Sequence, residues 1–531
     1  MATATTALPV GAAAIPQAPS ETLHARTVFG FLAMVFGMFM AILDIQIVAA
    51  SLGEIQAGLS AGPDEIAWVQ TSYLVAEVIM IPLSGFLGRL LSTRVLFTIS
   101  AAGFTAASAL AATATNMDEM IIYRGLQGFI GGGMIPSVFA AAYTVFPPSR
   151  RAIVTPMIGL VATLAPTVGP TIGGYLSDTF SWHALFLVNI IPGICVTIAA
   201  WTLIDFDKGD LSLLKRFDWV GLAGMAAFLG SLEYVLEEGP QYDWLQDHTV
   251  FIFAVVMAVG GVVFFWRSFR ADVPVVDFSA FRDINFTFGS IFSFVMGIGL
   301  YGLTYLYPLY LGRIRGYDAL MIGETLAISG IAMFLTAPIS GMLSRKIDPR
   351  LMLLVGFLGF AAGTWMMTGI TSEWDYNQLI LPQIFRGVSL MLCMVTISDL
   401  ALGTLPPEKM KNASGLFNLT RNLGGAVGLA LINTLLIHRS DMHYERLSES
   451  VNWSNPEALR QLKMMAQNLA SRGLDATTGA IAQMAGRVHL QAHVMAFADI
   501  FYLLTVLFAM LAVFAIMMRR PPASAGGGGG H

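Results

Sequence analysis

The sequence is poor in charged residues and in cysteine. Asp, Glu, Lys and Arg together make up 12% of its 531 residues, against roughly 25% in a typical soluble domain. Its two cysteines, Cys195 and Cys393, are too few for a disulfide framework or a four-cysteine zinc site. The phosphate-binding pattern G-x-x-x-x-G-K-[ST] is absent, which argues against ATP as an energy source. The net charge of −5 argues against a nucleic-acid partner.

Apolar residues dominate the composition instead. They make up 56% of the chain, and the mean hydropathy is +0.69. Apolar stretches near 20 residues recur along the whole length, and each could cross a bilayer as a helix. The sequence therefore predicts an all-α membrane protein with about 14 spans. We number these spans 1 to 14, at residues 28–51, 66–87, 95–114, 120–145, 153–176, 184–204, 219–237, 249–266, 286–311, 319–343, 351–370, 379–403, 414–437 and 495–518.

The basic residues predict which ends of the spans face the cytoplasm. If the N-terminus is cytoplasmic, the cytoplasmic segments hold 18 Lys and Arg residues, whereas the short connections on the other side hold 2, Arg313 and Arg315. Because short cytoplasmic loops are enriched in Lys and Arg, both termini are predicted to be cytoplasmic. Residues 1–25 and 519–531 are predicted to be disordered cytoplasmic tails, since they are rich in Ala, Thr and Pro or in Gly.

An internal repeat divides the chain. Residues 82–94 match residues 338–350 in Pro, Ser, Gly, Leu and two Arg, and each copy leaves a second span and enters a basic turn. Two six-span units related by a parallel repeat are a common design of secondary transporters. We predict a first unit at 26–204, a linker and an inserted pair of spans at 205–285, and a second unit at 286–518. A cytoplasmic gate is predicted at the matching turns, with Gly85, Arg89, Arg94, Gly341, Arg345 and Arg350.

Three charged residues lie within predicted spans of the first unit, Asp44 in span 1, Glu77 in span 2 and Arg124 in span 4. A charge at bilayer depth is costly and usually faces a bundle interior or a water-filled path. Asp44 is either a proton acceptor or an acid that pins span 1 to a neighbour. Glu77 stands among apolar residues, which favours a proton or cation role over a packing role. Arg124 cannot lose its proton, but its fixed charge can favour the ionised form of a nearby carboxylate; a static ion pair is the alternative.

Span 5 combines proline with closely spaced glycine. Pro166 and Pro170 remove helical hydrogen bonds, and Gly169, Gly173 and Gly174 allow another helix to approach closely. This pattern predicts a pivot or a seal, and a tight helix crossing would explain it equally well.

The remaining polar residues of the spans carry weaker signals. Glu233, near the outer end of span 7, is interpreted as a solvated end charge. His489 and His493 lie one helical turn apart, but two imidazoles without a third ligand make a weak metal site, so neither a metal nor another cofactor is predicted. No nucleophile–base arrangement indicates an enzyme. Candidates for a substrate cavity or for polar sites of the second unit are Gln46, Gln127, Arg386, Asn418, Arg421 and Asn422.

One connection on the non-cytoplasmic side is much longer than the others. It spans residues 438–493, and its stretch 456–469 has helix-forming composition with apolar residues near helical spacing. Connections of this length are uncommon unless they have a function. We predict that it docks a partner, with a disordered tether as the alternative.

These motifs resemble those of the major facilitator superfamily, in its 14-span drug:proton antiporter branch (the EmrB/QacA type). Leu43-Asp44 resembles the motif of span 1, residues 68–85 resemble span 2, and R-G-L-Q-G from Arg124 resembles the motif of span 4. The segment A-P-T-V-G-P-T-I-G-G at 165–174 resembles the antiporter motif of span 5. The resemblance covers almost the whole chain.

The resemblance implies two six-helix bundles with two inserted helices and a function in multidrug efflux. The chain would export amphipathic or hydrophobic small molecules across a bacterial inner membrane, with the proton gradient as the energy source and no cofactor. Asp44, Glu77 and Arg124 would couple the protons. The long connection resembles that of members that dock a periplasmic adaptor (a membrane fusion protein) and an outer-membrane channel. A symporter that imports a nutrient is the alternative, against which the span 5 motif argues; a membrane enzyme or receptor comes third.

Two segments depart from the family pattern. Arg89 and Ser92 stand where the superfamily usually has Asp and Gly in the turn between spans 2 and 3, so the usual ion pair of the inner gate is not expected in the first unit. After Asp44, residues 46–49 replace the run Thr-Ile-Val-Asn, and substrate contacts are expected to differ there.

Overall fold

The computed structural model describes residues 24–62, 65–344, 346–452, 454–471 and 476–517. These residues form helices and their connections, without a β-strand. Fourteen helical segments of this part of the chain are long and apolar enough to cross a membrane. The predicted fold class and number of spans are thereby confirmed. Arg345 and nearly all of the two predicted tails lie outside the described residues.

The spans keep the numbers given above, with bounds within a few residues of those predicted except at spans 13 and 14. In order they are Ala25–Ala50, Trp68–Leu91, Thr93–Ala111, Met117–Val145, Pro148–Thr179, Ala184–Leu203, Trp219–Glu238, His248–Arg270, Ile284–Arg313, Ala319–Leu343, Pro349–Met366, Tyr376–Leu402, Pro407–Ser450 and Ala476–Met517. Spans 4 and 6 each consist of two helices, Met117–Gly131 with Met134–Val145 and Ala184–Leu187 with Ile190–Leu203. Shorter helices are Leu52–Leu59, Leu211–Arg216, Trp244–Gln246, Phe278–Arg282, Met367–Gly369 and Pro456–Ser471.

The long connection is largely helical, and its helices extend well beyond the helix predicted at 456–469. Span 13 continues to Ser450 and the last helix begins at Ala476, so both run well beyond the roughly 20 residues that cross a bilayer. The predicted helix is present as Pro456–Ser471, and it packs on the start of span 14 through Met465 and Met484. We call the described residues between 438 and 493 the helical extension.

The internal repeat is visible in the packing. In the first unit, span 1 packs on span 5, span 2 on span 4, and span 3 on span 6. The matching pairs of the second unit pack in the same way, span 9 on span 13, span 10 on span 12, and span 11 on span 14. Between the units, span 5 packs on span 10 and span 2 packs on span 13, two contacts that the repeat relates to each other. The inserted spans 7 and 8 pack on each other, and span 7 also contacts spans 2 and 13.

Each span ends at one of two faces of the bundle. We call one face the basic end, because its turns carry Arg89, Arg150 and Lys411, and the other the loop end, because it carries the helical extension. The positive charge of the basic end is what predicts that it lies in the cytoplasm.

Candidate functional site

Asp44 and Arg124 form a fully buried ion pair inside the first unit. One Asp44 carboxylate oxygen accepts from Arg124 Nη1 at 2.7 Å, and both side chains have 0% exposure. The Arg124 guanidinium also donates to the backbone oxygen of Val69 at 3.1 Å and lies over the ring of Tyr73 at 4.3 Å. Spans 1, 2 and 4 are therefore joined at one point deep in the bundle.

Amide and hydroxyl groups complete this pair. The other Asp44 oxygen accepts from Gln127 Nε2 at 3.1 Å and from Asn189 Nδ2 at 2.6 Å, and both amides also donate to Ser108 Oγ. Gln127 Oε1 in turn accepts from Arg124. Both Asp44 oxygens thus have partners, and breaking a buried pair of this kind leaves an uncompensated charge. The geometry favours the anchoring interpretation of Asp44 over that of a free proton acceptor.

Glu77 has a different environment. Its side chain is 3% exposed, and within the described structure it takes part in no hydrogen bond and no ion pair. It lines a recess of about 100 Å³, which we call the acidic recess, together with Gln46, Gln70, Tyr301 and Asn422. An unpaired charge is costly to bury, so a carboxyl in this position calls for a proton or a cationic ligand.

The acidic recess continues into a larger cavity of about 590 Å³. Gln46, Gln70, Leu74 and Tyr301 line both spaces. The cavity wall comes from spans 1, 2 and 5 of the first unit, from spans 9, 10 and 13 of the second unit, and from span 7. Its outer residues lie at the loop-end termini of the spans, so the central space extends from Glu77 toward that end. A volume of this size is in the range of small-molecule sites.

The inserted span 7 contributes two further acids to this space. Glu233 lines the acidic recess and is 6% exposed, so its interpretation as a solvated end charge is wrong. Glu237 lines both the recess and the larger cavity. The cause is the position of span 7, which packs on spans 2 and 13 and turns this face inward.

The span 5 motif packs directly on span 1. A Cβ atom added to Gly169 would lie 2.4 Å from the Cβ atom of Gln46, and one added to Gly173 would lie 2.7 Å from the backbone oxygen of Ile47. Only glycine permits this approach, because backbone atoms on the facing helix cannot move aside. Pro166 and Pro170 stand within the same helix, and Pro170 also lines the cavity. Gly174 accepts a hydrogen bond from Ser177 one turn later.

The two units are joined at the basic end. Lys411 of span 13 contacts the carboxylate of Asp207 in the linker and donates to the backbone oxygen of Gly88 at 2.7 Å. Asn412 exchanges hydrogen bonds with the backbone of Asp277. Although the family's Asp is absent from the span 2–3 turn, a carboxylate of the linker thus takes part in an ion pair at the same end.

The predicted gate residues surround this junction. Gly85 allows close packing, because a Cβ atom there would lie 2.9 Å from the Cα atom of Asn412. Arg89 accepts through its backbone oxygen from Asp210, and the guanidinium of Arg94 lies over the ring of Trp201 at 5.2 Å. In the second unit the Gly341 oxygen accepts from Ser344, and the backbone N–H of Arg350 donates to Asp348.

A second contact between the units lies nearby. Asp399 of span 12 accepts hydrogen bonds from Tyr143 at 2.9 Å and from Thr155 at 3.1 Å. These two residues belong to spans 4 and 5 of the first unit. Both sets of contacts close the central space at the basic end, so the described conformation gives Glu77 access toward the loop end.

Among the described residues of the second unit, Arg386 and Arg421 form no buried ion pair like that of Asp44 and Arg124. Arg386 donates to Thr304 Oγ1 at 2.6 Å and lies over the ring of Tyr307. Arg421 donates to Asn418 Oδ1 at 2.6 Å. Among the predicted cavity residues, Gln46 and Asn422 line the acidic recess, and Asn422 accepts from the Tyr301 hydroxyl at 3.3 Å. Gln127 instead belongs to the Asp44–Arg124 network.

Several site residues were missed by the sequence analysis. Asn189 and Ser108 are single polar residues in apolar runs, and nothing in the sequence pairs them with Asp44. A signal did exist for span 7, because Glu233 and Glu237 are four residues apart and so share a helix face. The linker acid Asp207 offered no signal, since its partner is 204 positions away in sequence.

Comparisons with known proteins agree with this architecture. The profile of the Major Facilitator Superfamily matches residues 34–429. The colistin resistance protein EmrB of Acinetobacter baumannii is 44% identical over 491 residues, which cover 92% of this chain and 95% of that protein. The multidrug export protein EmrB of Escherichia coli K12 is 30% identical over 435 residues, 82% of this chain and 85% of that protein.

Solved structures show the same fold. The crystal structure of the human organic anion transporter MFSD10 (TETRAN) superimposes with a TM-score of 0.55 at 13% identity, covering 91% of this chain and 99% of that chain. Taken with the 14 spans, the paired six-span units and the central cavity, these matches show that the chain belongs to the Major Facilitator Superfamily, as a multi-pass membrane transporter of the EmrB type and not an enzyme.

Proposed function

We propose that this chain is a proton-driven antiporter that exports amphipathic and hydrophobic small molecules, and so contributes to multidrug efflux. The observation that carries the proposal is Glu77, a buried carboxyl without a partner at the inner end of a cavity that both units line. Relatives named for multidrug export and for resistance to colistin and fatty acids support efflux as the direction of transport.

In this proposal each part of the site has a separate role in transport. Glu77 takes up a proton from the loop end and releases it at the basic end once the cavity has opened there. Arg124 supplies a permanent positive charge next to Asp44 and holds spans 1, 2 and 4 in register around Glu77. The glycines of span 5 let the helices of the two units slide in close contact. The apolar cavity walls hold the substrate while the proton is exchanged.

Purified protein in lipid vesicles tests the coupling. Vesicles that contain the protein with its basic end outward, and that are made acidic inside, should accumulate a fluorescent apolar dye without a basic group in an uphill direction. Collapse of the pH gradient with a protonophore should release it. Accumulation that persists after the gradient has collapsed would contradict proton-driven antiport, and protein-free vesicles serve as the control.

We further propose that the chain lies in a bacterial inner membrane with both termini in the cytoplasm. The orientation rests on the basic turns. Single cysteines introduced at Ser149 and Ser450, both exposed at opposite ends, test it in a variant without Cys195 and Cys393. An impermeant maleimide added to intact cells should label position 450 and leave position 149 unlabelled until the cells are opened. Equal labelling of both positions in intact cells would refute the orientation.

The helical extension suits the docking of a periplasmic adaptor, which would connect the transporter to an outer-membrane channel. It stands on the loop end, and its helices enclose an apolar groove of about 410 Å³ lined by Tyr444, Leu459, Leu462 and Met484 among others. An apolar groove on an exposed helical surface is typical of a protein contact.

Replacement of residues 456–469 by a Gly/Ser linker of equal length tests this role. Transport in vesicles should be retained, because this helix packs on the start of span 14, near Met484, at the loop end of the bundle. Co-purification with the adaptor and efflux from whole cells should both decrease. A variant in which Glu457 and Arg460 are exchanged keeps the helix composition and serves as the control. Unchanged co-purification would refute docking at this helix, and loss of vesicle transport would make it part of the transporter.

A further inference from the structure

The acidic recess contains three carboxyls from two different parts of the fold. Glu77 comes from span 2 of the first unit, and Glu233 and Glu237 come from the inserted span 7. Glu77 and Glu233 are 3% and 6% exposed, and in the described structure neither takes part in a hydrogen bond or an ion pair. Two unpartnered carboxyls that are more than nine-tenths buried therefore face the same open space.

No basic side chain of the described structure lines this space: no Lys, Arg or His is among the described residues around the recess or the larger cavity. Arg421 is the basic residue next to the lining residue Asn422, but it donates to Asn418 and forms no ion pair with Glu77. Buried charges in proteins are paired or coordinate a cation, and a cationic ligand would supply the ion-pair partner that the lining lacks.

The shape of the space fits an amphipathic cation. The recess of about 100 Å³ has room for a charged group, and the adjoining cavity of about 590 Å³ has room for an apolar body. Leu309, Ile322 and Pro170 give the cavity apolar walls. Tyr301 and Tyr305 add aromatic rings, which attract cations through their faces.

From this arrangement, and resting on the export function proposed above, we infer that Glu233 and Glu77 together form a subsite for the positively charged nitrogen of a lipophilic amine or quaternary ammonium substrate. The inserted span 7 is then a specificity element, because it adds a carboxyl to Glu77, the one acid that the described six-span units contribute to the recess lining. A neutral substrate occupies the larger cavity without using Glu233, and an anion is disfavoured by the acids.

Glu238 provides a matched control on the same helix. It is 4% exposed, but it accepts a hydrogen bond from Thr71 at 3.0 Å and does not line the described recess or cavity. Glu238→Gln retains an oxygen that can accept the Thr71 hydroxyl. It therefore removes one carboxyl from span 7 without changing the site.

Binding to the purified full chain in lipid nanodiscs at one fixed pH tests the subsite. The probes are ethidium, a planar monocation, and N-phenyl-1-naphthylamine, a neutral amphipathic dye. Glu233→Gln should weaken ethidium binding by about tenfold or more, equivalent to ~1.4 kcal/mol, while the affinity for the neutral dye stays within about twofold. Glu238→Gln should leave both affinities within the same twofold range.

Two results would overturn the inference. One is ethidium binding by Glu233→Gln within twofold of the wild type. The other is an equal loss for both probes, which indicates a structural role for Glu233. If Glu233→Gln does not fold, Glu77→Gln, which removes the other carboxyl of the subsite, should lower the ethidium-to-dye affinity ratio in the same direction, and an unchanged ratio refutes the subsite.

The same variant separates this inference from the export function. In vesicles with an imposed pH gradient, Glu233→Gln should still accumulate the neutral dye and should lose preference for ethidium. If the wild type transports neither probe uphill but binds ethidium through Glu233, proton-driven export is wrong and the subsite stands. If transport of both probes is normal and ethidium is bound equally with or without Glu233, export stands and the subsite is wrong.

Discussion

Glu77→Gln should abolish uphill export of a neutral substrate, while its binding and its exchange without a gradient remain. Glutamine resembles the protonated carboxyl in size and hydrogen bonding but cannot release a proton. Because Glu77 has no partner in the described structure, this change breaks no existing contact and should not lower stability. The expected signature is therefore a functional loss in a well-folded protein, with accumulation in acidified vesicles falling to the level of protein-free vesicles.

Two controls make this experiment decisive. Glu54→Gln removes an exposed acid on the short helix Leu52–Leu59 and should transport at the wild-type rate. Asp44→Asn tests the other deep acid of the first unit. If Glu77→Gln and Asp44→Asn each retain wild-type uphill transport, the coupling proton travels by another route, and the role assigned to Glu77 is refuted.

The second large effect is expected at Arg124. Arg124→Ala removes one partner of a fully buried ion pair and leaves Asp44 uncompensated. Breaking such a pair costs about 3–5 kcal/mol, so both transport and the melting temperature should fall. Arg124→Lys keeps the charge but lacks the planar fork that contacts Asp44, Gln127 and Val69 at once. It should retain more stability than alanine and transport slowly.

A double variant distinguishes a coupling role of the Asp44 and Arg124 charges from a purely structural role of the ion pair. Asp44→Asn combined with Arg124→Gln removes both charges together and keeps polar groups of similar size. It should recover much of the stability that Arg124→Ala loses, because no unpaired charge is left. Transport should stay impaired if the permanent charge contributes to coupling. Wild-type transport by the double variant would show that the pair only holds spans 1, 2 and 4 together.

The spans and the repeat could be predicted because their signals are local. The length of a run of apolar residues is enough to recognise each span, and the matched turns at 82–94 and 338–350 are short segments of sequence. Asp44, Glu77 and Arg124 were identified as site residues because a charge stands out in an apolar run. The same contrast could not show that Asp44 and Arg124 pair with each other, or that Glu77 stays alone, since both facts depend on how distant helices pack.

The wrong interpretation of Glu233 has a similar origin. A residue near the end of a span is close to water when the helix stands at the edge of a bundle. Span 7 instead fills the space between spans 2 and 13, so this end of the helix is covered by protein. The sequence carries no information on which gap an inserted helix occupies. The helical extension was underestimated for a related reason, because a polar helix that continues a span lacks the apolar pattern by which spans are recognised.

The attachment of span 7 determines which parts of the central space move together. Its contacts with span 2 include the stacked rings of Trp68 and Tyr234, 5.3 Å apart, and the hydrogen bond from Thr71 to Glu238. At this end the short helix that follows span 7 donates one hydrogen bond to the second unit, from the Trp244 indole to Thr434 at 3.2 Å. If the two units rock against each other, we therefore expect span 7 to move with the first unit. In such a motion Glu77 and Glu233 would keep their spacing, while the span 9 wall that carries Tyr301 would move toward them and away from them.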